Sequence, residues 1–168
     1  MSRLELAMTL SPRLLRVIFN LWPPFFGTGI HVRRISGDWR EIDVEARLRW
    51  YNRNIVGSHF GGNLFAMTDP FYMTMLMGIL GAGYAVWDKA ARIDFVRPGR
   101  GTVTARFRLD ESQIAAVRAA TDGGDKALPE YVVEITDASG ELVARVHKTL
   151  YVRRKTSGAR ERSASLAA

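Results

Sequence analysis

The chain of 168 residues is long enough for one domain with a real core and too short for two. It has no cysteine, which excludes disulfides, thiolate nucleophiles and cysteine-ligated metal and suits a reducing cytoplasm; its three histidines, His31, His59 and His147, are too scattered to predict a metal site. Over half of the net charge of +7 sits in one C-terminal stretch, where Arg153, Arg154, Lys155, Arg160 and Arg162 face only Glu161. The remaining cations alternate along segments such as "RFRLDE", and no nucleic-acid motif is present, so a nucleic-acid partner is not expected. Anionic small molecules remain suitable partners for arginine forks.

In chain order, Ser11 to Asn20 predicts a short helix, with Ser11 as its cap and Pro12 in its first turn. The apolar run Leu14 to Ile30 is interrupted by Arg16, Asn20 and Pro23-Pro24, too early for a membrane span, and a turn is expected there. A strand from Gly29 to Ile35 then pairs across "SGD" with "REIDVEARLRW", in which Ile42, Val44, Ala46, Leu48 and Trp50 share one face. A long uncharged helix follows from about Gly62 to Leu80. Pro70 to Trp87 carries no charge, but Pro70, Gly78, Gly81 and Gly83 break it, predicting a buried helix and then a strand instead of a span. Four strands come next, Tyr84 to Val96, Thr102 to Leu109, Tyr131 to Thr136 and Leu142 to Val152, with a helix at Glu111 to Ala120 and a loop at "TDGGDKALP". From Thr156 onwards little is available to bury, and disorder is expected.

The order predicts an α+β protein in three parts: an N-terminal helix and proline-rich turn over residues 1–28, one antiparallel sheet wrapped around an apolar helix over 29–154, and a basic tail over 155–168. A helix apolar on every side needs cover on every side. Either the N-terminal helix or a second subunit must supply it, and a homo-oligomer is implied.

The stretch "GSHFGGNLFAMTD", Gly57 to Asp69, concentrates the candidate chemistry. Asp69 is the only charged residue between Asn63 and Leu80, and among Phe65, Met67, Phe71 and Met73 it is expected to be buried. It reads equally as a general base or nucleophile, or as a helix cap ahead of Pro70. Gly61 and Gly62 open a helix whose free N–H groups could polarise a carbonyl oxygen or hold an anion. Along a continuous helix Asp69 would lie about 10 Å beyond Gly62 on nearly the same face. Two such helices side by side and antiparallel would bring each Asp69 to the other's glycines. Met67, Met73, Met75 and Met77 suit either an acyl tunnel or core filling. Arg97 and Arg100, flanking Pro98-Gly99, are either phosphate contacts or ordinary turn arginines.

The segments "NIVGSHFGGNLFAMTD" and "IDFVRPG" resemble the hot-dog-fold acyl-CoA thioesterases of the phenylacetate-pathway type, over roughly Gly29 to Val152. "GGNLFAMTDPFYMTML" with "YAVWDKAARIDFVRPGRGTVTARF" is still more similar to a hot-dog family known as a domain of unknown function and grouped with those enzymes. The resemblance implies Asp69 as base or nucleophile, Gly61 and Gly62 as the amides on the thioester carbonyl, and Asn54 as the residue orienting water or carbonyl. The family's histidine before the glycine pair is replaced by Phe60, with His59 displaced by one residue; both are substrate-side candidates, and His59 reads equally as a loop residue bonded to backbone. "GSHFGG" also resembles the hydroxyacyl carrier-protein dehydratases, but Met73 stands where their helix glutamate is needed. The implied activity is hydrolysis of an acyl-CoA thioester by a dimer or dimer of dimers, without metal or redox cofactor, coenzyme A being part of the substrate. The alternative is a non-catalytic acyl or acyl-CoA binding module, which Phe60 favours.

Overall fold

The computed structural model describes residues 10–155. The expected disorder of Thr156 to Ala168 lies outside the described residues. Helix α1 spans Pro12–Leu21, and the Ser11 hydroxyl accepts a bond from Leu14 N at 3.3 Å, as the cap signal predicts. The proline pair starts a one-turn helix, α2 (Pro23–Phe26), where only a turn was expected. The strands β1 (Ile30–Ile35) and β2 (Glu41–Arg47) form the expected antiparallel pair. Beyond the next two helices come β3 (Tyr84–Phe95), β4 (Thr102–Arg108), α5 (Glu111–Thr121), β5 (Lys126–Ala127), β6 (Glu130–Asp137) and β7 (Leu142–Arg154). The short β5 falls in the stretch expected to be a loop.

The sheet runs β1-β2-β4-β6-β7-β3, with β5 added against β7. Along β2, Ile42, Val44 and Ala46 are fully buried, as alternation requires. The alternation was read too far, because the strand ends at Arg47 and Trp50 is 80% exposed. Asn52 turns the chain there: its amide donates to Thr28 O and Arg47 O, each at 2.8 Å, and accepts from Arg49 N at 2.7 Å.

The predicted long helix is two helices, α3 (Gly61–Ala66) and α4 (Phe71–Leu80). Pro70 explains the break, since it has no N–H to give and disfavours helical backbone at the residue before it. Helix α4 is buried through Phe71, Tyr72, Thr74, Met75, Leu76 and Leu80, while Met73, Met77 and Ile79 remain partly open. Part of its cover comes from the N-terminal helices: the Phe71 ring lies 5.6 Å from Phe19 and 5.9 Å from Phe25. Met67 and Met75 are fully buried core residues.

The two sheet edges differ. On β1 the Asn20 side chain accepts from Val32 N at 2.7 Å and donates to Val32 O at 3.1 Å, so one amide occupies both backbone groups as a neighbouring strand would. Edge strand β3 has β7 on one side and no strand on the other among the described residues. Helix α1 points Leu15 and Phe19 inward and leaves Leu14, Val17, Ile18 and Leu21 exposed. No helix among the described residues is long and apolar enough to cross a membrane.

Candidate functional site

The expected burial of Asp69 does not hold: its side chain is 62% exposed. The turn between α3 and α4, held by the bonds Thr68 N to Phe65 O at 3.0 Å and Asp69 N to Ala66 O at 3.2 Å, buries Met67, Thr68 and Pro70 and rotates Asp69 outward. Nor does Asp69 cap α4, because Pro70 takes the cap position and no side chain bonds the first turn. The structure thus removes the capping role, and with it the continuous helix that set the axial distance from Gly62 to Asp69.

What holds Asp69 is a residue not singled out from sequence. Lys148 is 1% exposed, and its Nζ lies 2.8 Å from Asp69 O, 3.3 Å from Asp69 Oδ1 and 3.0 Å from Asp88 Oδ1. The first two are hydrogen bonds; the contact to Asp88 is a charge contact off the hydrogen-bonding direction. Burial pushes the Asp88 carboxyl above its ordinary range, Lys148 opposes that shift, and the charge of Asp69 adds to it. Asp88 sits where the β3–β7 register slips between Asp88 and Ala90, a bulge of the kind that re-aims side chains beside active sites. A sequence signal for Lys148 existed: in "VHKTLYV" the inward row is Val146, Lys148, Leu150 and Val152, so alternation alone places this lysine inside.

Four of the other candidates, Asn54, His59, Gly61 and Arg97, line a cleft of about 390 Å³ with Leu64 and Phe95, whereas Phe60, Gly62 and Arg100 are not on its walls. Asp69 is not on those walls. Asn54 is engaged by its own loop, donating to Ser58 Oγ at 2.9 Å and His59 O at 3.3 Å and accepting from Val56 N and Ser58 N at 3.1 and 3.0 Å. His59 is buried, with Nε2 3.0 Å from Gly101 O and Nδ1 buried without a partner. Burial draws the imidazole below its ordinary value, and the bond to Gly101 partly offsets this. Phe60 is 55% exposed. Its backbone is extended, so adjacent side chains there take opposite sides: the imidazole goes in and the ring goes out.

The side chain of Phe60 cannot accept a bond, and the first turn of α3 has no side-chain cap. On the side where a Cβ would stand, aromatic rings face both glycines. A Cβ on Gly61 would come 2.9 Å from the Phe95 ring, and one on Gly62 would come 2.5 Å from the Phe60 ring. Arg97 donates to Leu142 O at 2.9 Å and Asp137 Oδ2 at 2.7 Å, whereas exposed Arg100 has no ion pair among the described residues.

A curved antiparallel sheet around a buried helix, with a lone carboxylate at the helix break and a glycine pair at the helix start, is the layout of a hot-dog protein. The chain belongs to the family described as Domain of unknown function (DUF4442), whose model matches residues 11–152. Comparison with curated protein sequences gives no match. Among solved structures, the chain is similar to a Pseudomonas aeruginosa protein of unknown function described as a probable thioesterase, at 20% identity and TM-score 0.77, covering 87% of this chain and 97% of that one. It is also similar to a Haemophilus influenzae thioesterase, at 17% identity and TM-score 0.63 over 87% of this chain and 92% of that one. The PaaI protein of the Escherichia coli phenylacetic acid degradation operon matches at 19% identity and TM-score 0.59, over 91% and 96%. These likenesses establish the hot-dog fold.

Proposed function

We propose that the protein hydrolyses an acyl-CoA thioester, with Asp69 of one protomer facing the Gly61-Gly62 end of α3 in a second copy. Asp69 carries this reading: a carboxylate open to solvent, yet held by a buried ammonium, in a fold shared with proteins described as thioesterases. A base must reach its substrate, so exposure supports the catalytic role better than the burial expected from sequence.

In the reaction, Asp69 takes a proton from water as the water oxygen bonds to the thioester carbonyl carbon. Alternatively the carboxylate attacks first, and water then hydrolyses the resulting anhydride. The backbone N–H groups of Gly61 and Gly62 receive the developing oxyanion. The carbon–sulfur bond breaks, the sulfur leaves as thiolate and takes up a proton, and the products are a free acid and the coenzyme A thiol. With both ends of its amide engaged, Asn54 contributes by fixing the loop that carries His59 and Phe60. Of the two candidate arginines, Arg100 is the one left available to a coenzyme A phosphate. No metal or redox cofactor enters this chemistry.

The commitment of His59 to Gly101 and of Asn54 to its own loop favours a second reading, a non-catalytic acyl or acyl-CoA binding module. Incubation with acyl-CoAs of graded chain length separates the two, thiol release marking an enzyme and a thermal shift without release a binder. Asp69→Asn tests the residue. Turnover should fall by about 10² or more. Because the lost charge is mostly exposed and Lys148 keeps Asp88 and the Asp69 carbonyl, stability should change by less than about 1 kcal/mol. A variant with near wild-type turnover would end the assignment.

A further inference from the structure

We infer that Lys148 is a positioning residue, whose ammonium sets the direction of the Asp69 carboxylate and the shape of the turn that carries it; the inference rests on the thioesterase reading above. A lysine ammonium has three N–H groups; two of this one's bonds go to Asp69, to its O at 2.8 Å and Oδ1 at 3.3 Å, while Asp88 Oδ1 stands 3.0 Å away as a charge contact. Asp69 has no other side-chain partner among the described residues. Its carboxylate is open to solvent on one side and tied to the protein on the other through this one nitrogen.

Folding alone gives little reason for the charge. The neighbours of Lys148 along the inward row are Val146 and Leu150, both fully buried, and a buried ion pair replaced as a whole by apolar residues of similar volume is often neutral or better for stability, although removing one partner alone is destabilising. Asp88, 22% exposed, balances the ammonium from the β3 bulge. Balance does not require the bonds to Asp69. Those bonds join the α3–α4 turn to β7, a strand paired on both sides by β6 and β3, and a reacting group tied to a rigid strand is held more tightly than one left on a turn. The positive charge also lies between two carboxylates that would otherwise repel across the site.

The test is Lys148→Met, which keeps the length of the stem and removes the charge and its donors. In acyl-CoA hydrolysis, kcat should fall about tenfold or more while KM stays within about twofold, because the turn is misplaced and the binding walls are not. In an Asp69→Asn background the same change should add less than a further twofold, since Lys148 acts through Asp69. A kcat within twofold of wild type, or a full independent loss in the Asp69→Asn background, overturns the inference. Hydrogen exchange read by mass spectrometry gives an arm free of turnover: the amides of Met67, Thr68, Asp69 and Phe71 should exchange faster in Lys148→Met, with α5 unchanged. Unchanged exchange at the turn overturns the positioning role. If wild type releases no thiol, the thioesterase reading fails while the exchange arm still decides whether Lys148 holds Asp69. Lys148→Gln, shorter and neutral, replaces the methionine variant if that one does not fold.

Discussion

A one-residue displacement of histidine decides what this loop can do. In extended backbone, positions 59 and 60 point to opposite sides, so with histidine at 59 the imidazole is buried at the base of the cleft wall, while position 60 turns a phenylalanine ring to solvent. His59 is then a neutral donor from Nε2 to Gly101 O. Its effect on stability has a definite sign. Burial lowers the folded-state value below the ordinary 6.5, so the unfolded chain binds the proton first, and the contribution of His59 is full above pH 6.5 and lost as pH falls through the depressed folded value. Urea unfolding between pH 7.5 and 5 should therefore show stability falling on the acid side, with a flatter profile for His59→Gln. Equal slopes in the two proteins would remove His59 as the cause. The displacement itself was legible in the sequence, whereas its consequence needed the backbone direction at Phe60. Asp69 was also legible as the lone carboxylate, but its exposure depended on a turn whose rotation the apolar neighbours conceal.

Elements were legible where alternation or capping chemistry spoke for itself. Ser11 and Pro12 set the start of α1, and the inward row of β2 fell on Ile42, Val44 and Ala46. The long helix was the clearest departure, because uniform hydrophobicity gives no period to interrupt and only Pro70 marks the break. A second constraint on α4 comes from the β1–β2 turn, where Trp39 adopts φ 65°, in the left-handed region that costs an aromatic residue energy. A Cβ on Gly78 would lie 2.3 Å from the Trp39 indole. The nearest atoms are Cδ2 and Cγ of the ring, so the indole as a whole must shift to admit a methyl group. Gly78→Ala should therefore destabilise by about 1–3 kcal/mol despite the better helix propensity of alanine. The accompanying sign is a changed tryptophan fluorescence; a variant as stable as wild type would show that the β1–β2 turn yields freely.

At the scale of the whole molecule, the surplus apolar surface on α4 pointed to a partner, and the structure assigns part of that cover to Phe19 and Phe25. What remains open is the β3 edge and the half-buried row Met73, Met77 and Ile79. Light scattering at micromolar concentration should return a dimer or larger, and a monomer would sink the two-fold site. The sequence carried no mark for which edge stays open, because Asn20 lies in another element, far along the chain from any strand register it could be read against.

That asparagine carries a consequence for growth. Sheets with two free edges can add chains at both ends without limit, which is the route to fibres. Here the backbone groups of Val32 are already satisfied by a side chain of the same molecule, so a strand adding to β1 would first have to displace Asn20, whereas β3 carries no such guard among the described residues. Were two copies to pair through their β3 edges, the guarded β1 edges would face outward and further strand addition would be disfavoured.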